Sequence, residues 1–127
     1  MILGLIESIK KASTEEVENL SDEVCLHLCD FYLDSQHSIA MIEIELGNKK
    51  ARRILRLHPI LAYQYANTRL AHKSRFREAE PTIATDPHYA YYYAKNILKQ
   101  RWPEAEPIIA THPEYSFYYA IYVLDSR

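Results

Sequence analysis

Two stretches of this chain hold residues of the kinds that do chemistry. Cys25, His27 and Cys29 stand in the run Cys-Leu-His-Leu-Cys, and a basic stretch, NKKARRILRLH, covers residues 48–58. Two thiols and an imidazole are zinc ligands by type. On a helix Cys25 and Cys29 share a face, while His27 is turned about 160° from their mean direction. Three ligands do not converge from such positions. The cysteines therefore read as small, reduced core residues, in keeping with a cytosolic compartment. No metal or cofactor is expected.

The other titratable groups form no catalytic constellation. The six histidines, at 27, 37, 58, 72, 88 and 112, make no HExxH or similar ligand pair. His58 and His112 stand where Asp86 opens a helix, so a capping or surface role is their default. The carboxylate pairs Glu78/Glu80 and Glu104/Glu106 recur together with Arg75 and Arg101. Residues kept from unit to unit serve the unit, here through ion pairs and helix dipoles. Gly-rich phosphate loops and nucleophile elbows are absent. An enzyme is not expected.

The basic stretch carries Lys49, Lys50, Arg52, Arg53 and Arg56. These cations are candidates for contacting phosphate, and nearby tyrosines add a stacking surface of the kind that holds a nucleotide. Charge is unevenly spread. Residues 46–77 hold nine Lys/Arg and no acid, whereas residues 1–45 hold two Lys/Arg and ten Asp/Glu. Folding that brings the segments together neutralises them, which is the simpler reading. The net charge of −2 speaks against a duplex nucleic acid partner.

The elements that must position these groups are dominated by a tandem repeat. Arg75–Leu98 and Arg101–Leu124 align at an offset of 26 residues with 14 of 24 positions identical. Leu57–Leu70 is a more diverged third copy, and Ser21–Leu33 a degenerate fourth that places Cys25 and Cys29 on Ala90 and Ala94. Each unit reads as a short helix followed by a longer one. Phe76, Ala79 and Ile83 give the short helix its apolar side, and Pro81 and Pro107 should leave these helices bent or brief. Asp86-Pro87 is a strong helix start, so the longer helix runs from Pro87 to about Lys99.

On a helical wheel Ala90, Tyr91, Tyr93, Ala94, Ile97 and Leu98 fill one arc of about 160°, the seam on which units stack. Gln64, Tyr92 and Tyr118 point away from it and align on successive helices, with Lys95 and Tyr122 beside them. This outward row is the candidate surface for a partner or ligand. The last unit is apolar outside for a terminal repeat, which favours an interaction.

Upstream, Ile2, Leu5, Ile6 and Ile9 mark an amphipathic helix and not a signal peptide. Ser13 with Glu16 is a capping box, Ser21 caps a helix from Asp22 to Leu33, and a further helix covers Gln36–Leu46 before Gly47. No apolar run approaches the ~18–20 residues of a membrane span. The chain thus reads as one all-α domain, 1–127, of eight or nine helices in stacked hairpins. Residues 1–47 form divergent N-terminal helices and residues 48–127 three repeats.

The pattern R-(F/W)-x-E-A-E-P-x-I-A-x-x-P-x-Y-x-(Y/F)-Y-Y-A, carried by Arg75–Ala94 and Arg101–Ala120, resembles short helical repeats in proteins of bacteriophages and large DNA viruses. With a looser match over Leu57–Leu70, the resemblance covers about half the chain. It implies a viral or mobile-element source and a helical array, with no activity or site residues to carry over. The expectation is a non-enzymatic, cytoplasmic phage accessory protein that binds and inhibits a host defence protein. The alternatives are a small-molecule binder sequestering a nucleotide signal and a structural homo-oligomer.

Overall fold

In a computed structural model that describes residues 2–68 and 75–125, the chain is all-α and, among the described residues, has no strand. Ten α-helices are present among these residues, close to the eight or nine expected. Leu70, the last aligned position of the diverged copy, and His72 lie outside the described residues.

The first four helices are α1 (Ile2–Lys11), α2 (Thr14–Glu18), α3 (Asp22–Asp34) and α4 (Ile39–Leu46). Then follow α5 (Asn48–Leu55), α6 (Pro59–Asn67), α7 (Glu80–Ile83), α8 (Pro87–Tyr93), α9 (Glu106–Ile109) and α10 (Pro113–Tyr119). No element is long and apolar enough to cross a membrane among the described residues.

Local chemistry sets the starts and stops. Ser13 and Glu16 close a reciprocal capping box, with Glu16 N–H donating to Ser13 Oγ at 3.1 Å and Ser13 N–H to Glu16 Oε1 at 2.8 Å. Ser21 accepts from Val24 N–H at the head of α3. Gly47, at φ 86°, ends α4 and begins α5, a backbone conformation that a side chain would strain. The helix expected from Gln36 starts later. Ser38 is its cap, and Gln36, at φ 56°, belongs to the left-handed exit of α3.

The repeats keep their expected halves with two refinements. A 3₁₀ turn precedes each short helix, Arg77–Ala79 before α7 and Pro103–Ala105 before α9. Pro81 and Pro107 thereby fall in the first turn of an α-helix, where no N–H is needed and no bond is lost. The longer helices end in a wide π turn, Ala94–Leu98 after α8 and Ala120–Leu124 after α10. Lys99 N–H reaches Ala94 C=O at 2.8 Å, and Asp125 N–H reaches Ala120 C=O at 3.0 Å.

Each long helix packs on the short helix of the next unit: α3 on α5, α6 on α7, α8 on α9. Helix α4 is an insertion between the first two units, packed on α1, α5 and α6. Cys25 and Cys29 are sealed completely, as are Ala62, Ala66, Ala90 and Ala94. Cys25 and Cys29 thus pack as small buried side chains, as do the paired alanines of α6 and α8.

Candidate functional site

The residues that recur in every full unit build a clamp. Arg75 holds Glu80 with two bonds, Nε to Oε2 at 2.9 Å and Nη2 to Oε1 at 2.8 Å. Tyr93 donates its hydroxyl to Glu80 Oε2 at 2.6 Å and accepts from Phe76 N–H at 2.9 Å. The next unit repeats every contact. Arg101 holds Glu106 at 3.0 and 2.8 Å, and Tyr119 donates to Glu106 at 2.6 Å and accepts from Trp102 N–H at 2.8 Å. In the diverged unit Tyr65 donates instead to Asn48, the residue aligned with Phe76.

Electrostatics follow from the contacts. Burial opposes ionisation of Glu80, but hydrogen bonds from Arg75 and Tyr93 outweigh it and hold its carboxyl below the usual range. Arg101 and Tyr119 do the same for Glu106. Burial, then the Glu106 carboxylate, pushes Tyr119 up to about 12. Every strong acceptor here is occupied, so these carboxylates tie the long helix to the short one. Glu78 is engaged elsewhere, accepting two bonds from Arg52 at 2.9 and 2.8 Å.

The tyrosine row is more connected than a single helical wheel conveys. Tyr63 touches Tyr89 and Tyr92. His88 stacks on Tyr115 at 4.7 Å with an interplanar angle of 11°, bridging α8 to α10. Tyr115 in turn meets Tyr92 and Tyr118, and Tyr118 meets Tyr122. Tyr92 and Tyr118 are therefore half-buried in this run of rings and do not stand free, as an outward row would. The wheel placed Tyr92 correctly on its own helix but carried no information about rings reaching across from the next unit. The stack of His88 on Tyr115 was missed for that reason.

Of the other row members, Gln64 is half-buried on α6. Lys95 is exposed and lies over the Tyr122 ring at 5.0 Å and the Tyr91 ring at 5.9 Å. Tyr91 belongs to the seam and is 2% exposed, while its counterpart in the last unit, Phe117, is 60% exposed. Ile121, Tyr122 and Leu124 are also exposed. The difference is positional: α10 covers the outer face of α8, and among the described residues nothing covers the equivalent face of α10.

The basic stretch is spent largely on helix ends. Lys50 donates to the carbonyls of Ile9 at 2.8 Å and Lys10 at 3.0 Å, closing the C-terminal end of α1. Arg53 turns inward and donates to the carbonyls of Glu18 at 3.0 Å and Leu20 at 2.5 Å beyond α2. Arg56 pairs with Glu18 at 3.1 Å. Arg53 with Asp22 and Arg56 with Glu18 thus join the basic stretch to the acidic N-terminal segment. Four of the five cations, Lys49, Arg52, Arg53 and Arg56, line one small cavity, and no tyrosine lines it.

Cys25 and Cys29 are free thiols in the core, and burial pushes Cys29 up to about 12. Cys29 donates to Ile54 C=O at 3.2 Å, while His27 is exposed on the opposite side of α3. His58 accepts from Ile60 N–H at 3.3 Å as a cap, whereas His112 makes no cap bond and its ring meets Tyr115. No protein-family model, curated protein or solved structure matches the chain.

Proposed function

We propose that this chain is a non-enzymatic helical-repeat protein that binds another protein through the aromatic face of α8 and α10. The observation that carries the reading is the uncovered face of the last unit. Phe117, Ile121, Tyr122 and Leu124 are exposed there, continuous through ring contacts with Tyr118 and Tyr115. Rigid aromatics bury a large area at low entropic cost, and exposed apolar patches of this kind mark interaction sites. The clamps hold the helices beneath in fixed register, which suits recognition by a preformed surface.

The sequence resemblance to phage-encoded repeats supports a host protein as the partner, with inhibition of a defence component in the host cytoplasm as the outcome. Capture from host lysate by the tagged chain, followed by mass spectrometry, tests this. The control is the double variant Phe117→Ser, Tyr122→Ser, which changes two exposed side chains and should retain native circular dichroism. Equal capture by wild type and variant would remove this surface from consideration.

Self-association is the second reading, favoured by the same uncovered face, since a further unit is what covers it elsewhere in the array. A strictly monomeric mass by light scattering at high concentration would exclude it.

A further inference from the structure

The outer side of α10 and its π turn carries one helical stripe. Phe117, Ala120, Ile121 and Leu124 fall at i, i+3, i+4 and i+7, and all four are exposed. Their equivalents one unit earlier are Tyr91, Ala94, Lys95 and Leu98. There Tyr91 and Ala94 are buried, where α9 and α10 pack on α8. Tyr91 lies against the rings of Tyr115 and Tyr118. Within the array, then, helices cover such a stripe. Alanine at its centre lets a helix axis come close. From Phe117 to Leu124 the stripe is about 10 Å long, room for about two turns of a packed helix.

The charge around the stripe differs from that of the face it repeats. Between Arg101 and Arg127 the chain holds four acids, Glu104, Glu106, Glu114 and Asp125, and no Lys or Arg. Of these, Glu106 alone has an ion-pair partner among the described residues, Arg101. Glu114 stands where α8 has His88, one turn before Phe117 and about 60° from it around the helix. Asp125 follows Leu124 at the other end. Both acids are exposed. Where the earlier unit has Lys95, the last has Ile121, so the cation of the inner face is gone. Lys95 itself meets the last unit at Tyr122, beside Tyr91 and away from the stripe.

Taking this face as a protein-binding surface, the reading on which this inference rests, we propose that it docks a short basic amphipathic helix of a partner protein. The partner sets apolar side chains on Phe117, Ala120, Ile121 and Leu124, and Lys or Arg opposite Glu114 and Asp125. An amphipathic helix laid on an apolar surface is held through i, i+3, i+4 and i+7 anchors, the spacing of this stripe. Charge complementarity selects its polar face. A second copy of the chain fits less well. Two-fold pairing of this face would bring Glu114 and Asp125 against their own counterparts, and like charges across an interface are unfavourable. The same acids oppose an anionic membrane surface.

The test is fluorescence anisotropy of two labelled peptides titrated with the full chain. Each has about 18 residues, enough to hold a helix, with leucine at i, i+3, i+4 and i+7. Lysine fills the polar positions of one and glutamate those of the other. Saturable binding of the lysine peptide and none of the glutamate peptide is the expected result. Glu114→Lys with Asp125→Lys leaves the apolar stripe in place and should weaken the lysine peptide about tenfold, since each rim attraction becomes a repulsion. Phe117→Ser should weaken it by about tenfold or more through loss of an anchor. Equal binding of both peptides, binding of neither, or a lysine peptide unmoved by the charge reversal would overturn the proposal. So would a lysine peptide bound equally by wild type and Phe117→Ser, which would place it elsewhere on the acidic chain. The reading of the face as a protein-binding surface falls separately, on equal lysate capture by wild type and the Phe117→Ser, Tyr122→Ser variant.

Discussion

Tyr93 and Glu80 meet at 2.6 Å, and 26 residues on Tyr119 and Glu106 meet at the same distance. In each pair the phenol also accepts a backbone N–H, from Phe76 or Trp102, at the entrance to the short helix. One hydroxyl thus satisfies a carboxylate and an otherwise orphaned amide while bridging both helices of its unit.

Replacing Tyr93 by Phe should cost about 1–3 kcal/mol, because it strands the buried Phe76 N–H and removes a donor from Glu80. Tyr119→Phe should cost less. Its unit is terminal, and Glu106 is more exposed than Glu80, with side chains 27% and 14% accessible. Urea denaturation of both variants measures the order, and equal or inverted costs would mean the clamp contributes no more inside the array than at its end.

The clamp was partly legible in the sequence. Arginine, glutamate and tyrosine recur at 75, 80 and 93 and again at 101, 106 and 119, with the same spacing. Joint recurrence of three polar residues within an apolar frame signals a mutual contact. The helical phase likewise placed Tyr91, Tyr93 and the paired alanines in the seam, where they are buried. What one helix could not reveal was the neighbour. His88 on Tyr115, and Lys50 on the end of α1, are contacts between elements distant in sequence. A cation run looks like a solvated face until the fold brings carbonyl ends to it.

Stability should depend on pH at both ends of the scale. Glu80 and Glu106 are held below their ordinary value of 4.5, so their contribution is present above that pH and is lost as pH falls through their lower folded values. Tyr119 is raised from 10.0 to about 12, so its contribution is present below pH 10 and is lost as pH rises toward 12. Tyr93 is raised in the same direction, chiefly by burial and by Glu80. Denaturation midpoints followed across pH test both limbs. Glu80→Gln should flatten the acid limb, and an unchanged acid limb would show that other carboxylates dominate it.

The two ends of the seam should respond unequally to truncation. Tyr91→Ala removes a buried ring and should cost about 3–5 kcal/mol. Phe117→Ser, at the equivalent position but 60% exposed, should fall within about 0.5 kcal/mol of wild type. Thermal melts of the two variants check this directly. A large loss in Phe117→Ser, growing with protein concentration, would mean the face is covered by a second copy in solution.

Lys50 offers the most local prediction. Its ammonium donates to the carbonyls of Ile9 and Lys10 in the last turn of α1, where Ile9 C=O also accepts from Ala12 N–H at 3.2 Å. Helix α1 otherwise holds on through Ile6 and Ile9 and through its packing on α4. Ten residues make a marginal helix when isolated, so loss of its terminal donor should be felt in α1 before anywhere else. Lys50→Ala should cost about 1.5–3 kcal/mol, the scale of hydrogen bonds from a charged donor, while the seam of α6, α8 and α10 stays intact. Amide hydrogen exchange distinguishes the two regions. Faster exchange confined to residues 2–12 is the expected pattern. Uniform acceleration through α8 would show instead that α1 and the repeats open as one cooperative unit.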